Sequence, residues 1–199
     1  MITIVDYRMN NLRSLENTLR RLGHETLVSC DPVDVMVADK LLLPGVGAFG
    51  DAMEHLNELG LSEAIIDRVD AGVPILGVCL GMQLLFDDSE EFGFHRGLGL
   101  LPGSVVRIPG GVHVPHMGWN QLHLRRADPL VEGVRKESFV YFVHSFAAAP
   151  EDPSIVIAET DYGSNFPSIV GSGKVWATQF HPEKSQHVGE RILENFARL

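Results

Sequence analysis

The chain has 199 residues, 45% of them hydrophobic and 21% charged, the make-up of one globular domain with a sizeable core. A formal net charge of −10 argues against a partner held through a phosphate backbone, which would want a basic face. No run approaches the ~20 apolar residues of a membrane span, the first apolar stretch is too short for a secretory signal, and two cysteines make no disulfide framework, so the expected location is the cytoplasm.

ITIVDY, from Ile2 to Tyr7, is apolar and β-branched and reads as a buried strand. Leu12, Leu15, Leu19 and Leu22 then recur three and four apart, one stripe of a helix that Gly23 can stop. ETLVS is a second strand. DPVDVMVAD opens a helix, with Asp31 as N-cap and Pro32 in the first helical position. KLLLPG is a third strand, FGDAMEHLNELG and LSEAIIDRVDAG are helices ending at glycine, PILGVC is a fourth strand and LGMQLLF the helix after it. Alternating strands and helices, with strands apolar throughout, imply a parallel sheet covered on both faces. Beyond Gly93 the pattern changes. SVVRI, VPHMGWNQLHL, SFVYFVHSFAA, SIVIAET, PSIVGSG and VWATQF read as strands that extend the same sheet antiparallel, and HVGERILENFARL closes the chain as a helix. The expectation is one α/β domain over residues 1–199, a mixed and mostly parallel sheet flanked by helices, with its chemistry at strand C-termini.

Cys79 lies where a strand should end and a helix begin, inside Gly77-Val78-Cys79-Leu80-Gly81. This G-x-C-x-G is the cysteine form of the nucleophile elbow, a sharp turn that pushes the central side chain out at the edge of the sheet. The helix N-terminus below favours the thiolate. An arbitrary cysteine is more often a small buried hydrophobe, and Cys30, which lacks the elbow context, is read as structural.

A cysteine nucleophile needs a base. His24, His55 and His187 sit in or beside polar helical segments, and alternation puts His113 and His116 on opposite faces, which disfavours a metal site with His123. His181 follows the strand VWATQF and precedes Pro182 and Glu183. In an extended segment residues i and i+2 point the same way, so Glu183 can orient one imidazole nitrogen while the other faces Cys79. Pro44-Gly45-Val46-Gly47 ends the third strand and offers N–H donors for an oxyanion. Gly45, Gly47 and Gly50 also spell the dinucleotide fingerprint G-x-G-x-x-G. They lie in the third βα turn rather than the first, and the next strand ends in Cys79 rather than an acid, so nucleotide binding is disfavoured.

These three signatures, PGVG, GVCLGMQ and HPE, stand in the order found in the triad-type (class I) glutamine amidotransferases, which the chain resembles over nearly its whole length. The resemblance implies a flavodoxin-like core and hydrolysis of glutamine by Cys79, His181 and Glu183. It implies an oxyanion hole at Gly45, Val46 and Leu80, with backbone N–H groups of Val46 and Leu80 as donors. It implies that Gly47, Gln83 and Glu91 hold the glutamine, with the Ser145-Phe146 backbone at its carboxylate, and it implies no cofactor and no metal. LPGVGAF, GMQLLF followed by Ser89-Glu90-Glu91, PHMGWN, and YFVHSF with QFHPEKS are further similar to members that pass ammonia to a separate (βα)8-barrel synthase subunit in a heterodimer. His116, Met117, Trp119, Asn120 and Lys184 would then face the barrel, Lys184 pairing with an acid across the interface. Arg8 and Asn10 stand where the family commonly has glycines, so two positions free to take positive φ are lost. Phe146 stands where a tyrosine is frequent, with little effect expected because the contact is through backbone. Two rivals remain: ammonia delivered to another acceptor, and a silent domain kept as a regulatory module. PHMGWN argues against anthranilate or guanylate synthesis but not against a paralogue with its own barrel. The intact Cys79, His181 and Glu183 argue against a silent domain.

Overall fold

The structure, a computed structural model, describes residues 1–8 and 12–199; Asn10 lies outside the described residues. Five apolar strands make the parallel heart of the main sheet: β1 (Ile2–Val5), β2 (Thr26–Ser29), β3 (Lys40–Gly45), β4 (Ile75–Cys79) and, from much later in the chain, β14 (Val175–Thr178). Between the first four run α1 (Leu12–Arg21), α2 (Pro32–Met36), α3 (Phe49–Glu58) and α4 (Leu61–Asp70). The Asp31 side chain accepts the Val33 N–H at 2.9 Å, closing the cap of α2. After Cys79 come α5 (Leu80–Leu84), β5 (Phe86–Ser89), β6 (His95–Arg96), β7 (Leu101–Arg107), β8 (His116–Gln121) and β9 (His123–Leu124). Then follow β10 (Phe139–His144), β11 (Phe146–Pro150), β12 (Val156–Asp161), β13 (Asn165–Ser172) and, beyond β14, α6 (Gln186–Arg198).

The main sheet has eight strands in the order β2-β1-β3-β4-β14-β13-β12-β9. Its two faces bury two cores, as alternation along parallel strands requires. Leu41, Leu43 and Ile75 face α3, α4 and α5, whereas Leu42, Leu76 and Val78 face α1 and α6. The antiparallel region departs from a simple extension of this sheet. Among the described residues only β13, β12 and β9 extend it antiparallel, β14 inserts parallel to β4, and the remaining strands form a four-stranded sheet, β11-β7-β5-β6, and a pair, β10-β8.

Two local differences explain this division. SFVYFVHSFAA is two strands rather than one: β10 pairs with β8, the chain breaks at Ser145, and β11 pairs with β7. LGMQLLF is helical only as far as Leu84. The carbonyls of Leu84, Leu85 and Phe86 accept N–H groups from Leu98, Leu101 and Gly99, so a loop takes the acceptors that another helical turn would need.

Candidate active site

β4 and β14 are neighbours, and their C-terminal ends bring Cys79 and His181 to one edge of the sheet. Cys79 has φ 56° and ψ −110°, in the left-handed half of conformational space that a non-glycine residue rarely enters. The flanking glycines make the turn feasible. A Cβ on Gly81 would lie 1.8 Å from the Leu43 carbonyl oxygen, and one on Gly77 would lie 2.7 Å from the carbonyl oxygen of Gly81. The start of α5 therefore lies directly against β3, and Cys79 is carried on that contact. Its thiol points at the Val143 carbonyl, 3.7 Å away, and the Gln179 amide approaches the sulfur at 3.9 Å.

His181 is anchored by its backbone N–H to the Tyr141 carbonyl at 3.0 Å. Its Nδ1 lies 2.9 Å from Glu183 Oε1, with both side chains almost wholly buried. The expected strand alternation is not what joins them. His181 is extended at φ −92°, ψ 101°, and Pro182–Lys184 then turns as one stretch of 3₁₀ helix. Proline fits the first position of that turn, because its absent N–H is not needed there. His181 Nε2 is buried and has no hydrogen-bond partner among the described residues. Burial works against a charge on this ring, yet the Cys79 and Glu183 side chains prevail and push its pKa up to about 10.

Cys79, His181, Val46, Gly47, Leu80, Gln83, Glu91, Ser145 and Phe146 all line one cavity of about 320 Å³. Gly47 there takes φ 105°, a turn only glycine makes freely. Gly45 lies outside that lining. It packs beneath it, where a Cβ would meet the Tyr7 hydroxyl at 2.1 Å and the Leu80 Cβ at 3.0 Å. Gln83 spends its amide hydrogens on the Phe146 carbonyl at 3.0 Å and on Gln179 Oε1 at 3.1 Å, so only its own carbonyl oxygen remains for a ligand. Glu91 Oε2 accepts the Phe49 N–H at 2.7 Å, which ties the loop after β5 to the first residue of α3. A larger hollow of about 710 Å³ lies around Arg125, Arg126 and Pro129, among none of these residues.

The five residues read as a barrel-facing group separate. Met117 and Trp119 are exposed, at 62% and 46%. Lys184 is also exposed, its Nζ 5.7 Å from the centre of the Tyr141 ring. Asn120 donates to the Asp161 carbonyl at 2.9 Å. His116 is different: it is 3% exposed, stacked between Phe142 and Tyr162, and offers no surface. Alternation along β8 explains the split, since Met117 and Trp119 share one face and His116 takes the other. Arg8 adopts φ 67°, the conformation that a glycine would take more cheaply, with its N–H on Asp6 Oδ1 at 2.9 Å.

Three residues around the site were not singled out from the sequence. Gln179 bridges Gln83 and Cys79, and its place two residues before His181 was an available signal. His144 lines the cavity immediately before Ser145. Tyr7 lies under Gly45 with its hydroxyl buried and without a partner among the described residues, its pKa pushed up by burial and by the nearby Cys79. No local pattern in ITIVDY points to that position.

A nucleophile elbow facing a histidine–carboxylate pair at the edge of a parallel sheet defines an acyl-transfer hydrolase of the cysteine type. The description "Glutamine amidotransferase class-I" matches residues 3–199, and the chain belongs to that family. It is 52% identical to the imidazole glycerol phosphate synthase subunit HisH of Syntrophotalea carbinolica, covering 100% of both chains. It is 51% identical to the subunit of the same name from Aquifex aeolicus, over 98% of this chain and 95% of that one. Among solved structures, a glutamine amidotransferase crystal structure superimposes with a TM-score of 0.78 at 22% identity, covering 100% of this chain and 99% of that one. PurLQS from Thermotoga maritima gives 0.77 at 20% identity, with 99% and 97% covered. These two likenesses speak for the fold.

Proposed function

We infer that this chain is the glutaminase subunit of imidazole glycerol phosphate synthase, a single amidotransferase domain working in the cytoplasm beside a (βα)8-barrel synthase subunit. The observation that carries this reading is Cys79 and His181 opening on one cavity from adjacent strand ends, with Glu183 held against His181 Nδ1.

In this reading Cys79 Sγ attacks the side-chain amide carbon of glutamine. The oxygen that becomes negative is held by the backbone N–H groups of Val46 and Leu80, a contribution of roughly two to three decades in rate per donor. His181 moves the thiol proton to the departing nitrogen, and ammonia leaves as the C–N bond breaks. A water then attacks the thioester, giving its proton to His181, and glutamate leaves as the thiol is restored. Glu183 orients His181 throughout. Gly47, Gln83 and Glu91 hold the substrate, and the Ser145-Phe146 backbone receives its carboxylate.

Ammonia released into water at neutral pH is mostly protonated and no longer nucleophilic, so it has to pass through a shielded path. The barrel subunit would use it to cleave and cyclise an aminocarboxamide ribonucleotide, yielding imidazole glycerol phosphate and AICAR in histidine biosynthesis. Met117, Trp119, Asn120 and Lys184 are the proposed barrel-facing residues, and the exposure of Met117, Trp119 and Lys184 supports the assignment. The Gly45-Val46 peptide is proposed to be misaligned until the partner binds its ligand.

The test is a diazo-ketone analogue of glutamine added to the complex, with the labelled peptide identified by mass spectrometry. Label on Cys79 that spares Cys30 is the expected result, and label on Cys30 alone overturns the mechanism. The same preparations report on coupling: glutaminase activity is expected near zero for the chain alone and orders of magnitude higher with the barrel subunit and its nucleotide.

A further inference from the structure

β8 and β10 pair so that His116 and His144 stand directly opposite each other. His116 Nδ1 is 3.0 Å from His144 Nε2. His144 Nδ1 is 2.8 Å from the Phe146 carbonyl oxygen, and His116 Nε2 is 3.3 Å from Asn120 Nδ2. These contacts fix every proton. A carbonyl only accepts, so His144 Nδ1 carries hydrogen and, in a neutral ring, His144 Nε2 is an acceptor. His116 Nδ1 must then be the donor, which leaves His116 Nε2 to accept from Asn120. The Asn120 amide is fixed independently, because its nitrogen also donates to the Asp161 carbonyl while its oxygen accepts the Gln121 N–H at 2.8 Å.

The chain therefore runs one way, Asn120 to His116 to His144 to the Phe146 carbonyl, and needs both rings neutral. Their setting agrees. Phe142 and Tyr162 sandwich His116, Phe166 packs against both rings, and burial pulls the His116 pKa down to about 4 and the His144 pKa to about 3. At the far end, the Ile108 N–H bonds the Ser145 carbonyl. Phe146 opposite Arg107 is thus in the non-hydrogen-bonded position, and its N–H and carbonyl face away from β7. Two donors, His144 and Gln83, take that carbonyl.

We propose that His116 and His144 are positioning residues: their one-way hydrogen-bond chain from Asn120 holds the Phe146 peptide so that the Ser145-Phe146 backbone presents its N–H groups to the carboxylate of the substrate. The proposal rests on the glutaminase reading and adds to it a physical link between β8 and the substrate cavity. Asn120, at the outer end, has the exposed Met117 and Trp119 on its strand.

Two measurements decide it. Long-range ¹H–¹⁵N spectra of the ¹⁵N-labelled chain are expected to show His116 and His144 as neutral rings carrying hydrogen on Nδ1, the less common tautomer. A hydrogen on Nε2 of either ring, or a charged ring at neutral pH, overturns the proposal. The second is the KM for glutamine in the assembled complex. His116→Phe keeps the stacking but removes the donor to His144, and KM is expected to rise roughly fivefold, the worth of about one hydrogen bond, with kcat changed far less. His116→Asn places an amide N–H where Nδ1 stood, so KM should return to within about twofold of the parent. Equal KM for both variants, raised or not, overturns the link to the substrate. A parent complex with no glutaminase activity would sink the functional reading instead, and the nitrogen spectra would still decide the hydrogen-bond chain.

Discussion

Two buried histidine systems border the same cavity and are tuned in opposite directions. His181, His116 and His144 are 3%, 3% and 6% exposed, so burial alone separates none of them. What differs is the partner. His181 has the Cys79 thiol nearby and a carboxylate on Nδ1, which together outweigh burial and push its pKa up to about 10. His116 and His144 have each other, an amide and a carbonyl, and burial drives both rings neutral. In one small volume, the proton stays where it can be used in chemistry and is kept away where only orientation is needed.

The hardest way to break this contrast is to remove the thiol. Cys79→Ala is expected to lower glutamine-dependent synthesis by the complex by roughly 10⁴-fold or more. Synthesis from added ammonium salt should survive, because the acceptor site belongs to the partner. Loss of both activities in a complex that still forms would show that Cys79 has another role. A smaller effect is expected from Glu183→Gln. The amide cannot supply the carboxylate's share in raising the His181 pKa, although Cys79 still supplies its own, so the alkaline fall of the glutaminase rate should move part of the way to lower pH, with a rate loss of roughly 10²–10⁴-fold. An unmoved alkaline limb would mean that Glu183 does not set this pKa.

The mildest comparison is of stability against pH, because the two systems oppose each other. The folded pKa of His181 lies above its ordinary 6.5, so its contribution is complete below pH 6.5 and is lost as pH rises toward about 10. The folded values of His116 and His144 lie below 6.5, so the unfolded chain takes up protons first and stability falls as pH drops from 6.5 toward about 3. Urea midpoints measured across this range should be highest near pH 6.5. His116→Phe should make the acid side shallower, with His144 still contributing its share, and leave the alkaline side in place. An acid limb unchanged in that variant would assign it to groups other than His116, of which His144 is the nearest.

The same contrast marks what the sequence could tell. The elbow was readable because Gly77, Cys79 and Gly81 are close neighbours in sequence, although the contact that demands glycine at position 81 is with Leu43 on β3. The His181–Glu183 pairing was readable from spacing, although a 3₁₀ turn rather than an extended strand joins them. The histidine chain was not, since it depends on the register of β8 against β10, set by strands 28 residues apart at the His116–His144 pair. The break at Ser145 was hidden for a related reason: VYFVHSFAA is uniformly good strand sequence, and the change of partner from β8 to β7 leaves no mark in it. The short α5 depends likewise on a distant loop that captures its last carbonyls. Arg8 is the reverse case: a freedom for positive φ was expected to be lost where arginine stands in place of a glycine, and the backbone adopts φ 67° nonetheless.

The contact between Gly81 and Leu43 has a mechanical consequence. With 1.8 Å between a would-be methyl and a backbone oxygen, there is no slack in which the start of α5 could slide over β3. Two residues beyond Leu43 the same strand ends at Gly45, where the proposed oxyanion arm begins. Nucleophile and arm are thus bolted to one beam. A push on the tip of β3 from outside the molecule carries the sulfur's support along with it, so the freedom to switch the arm on or off has to come from rotation within the Gly45-Val46 peptide and not from travel of the strand.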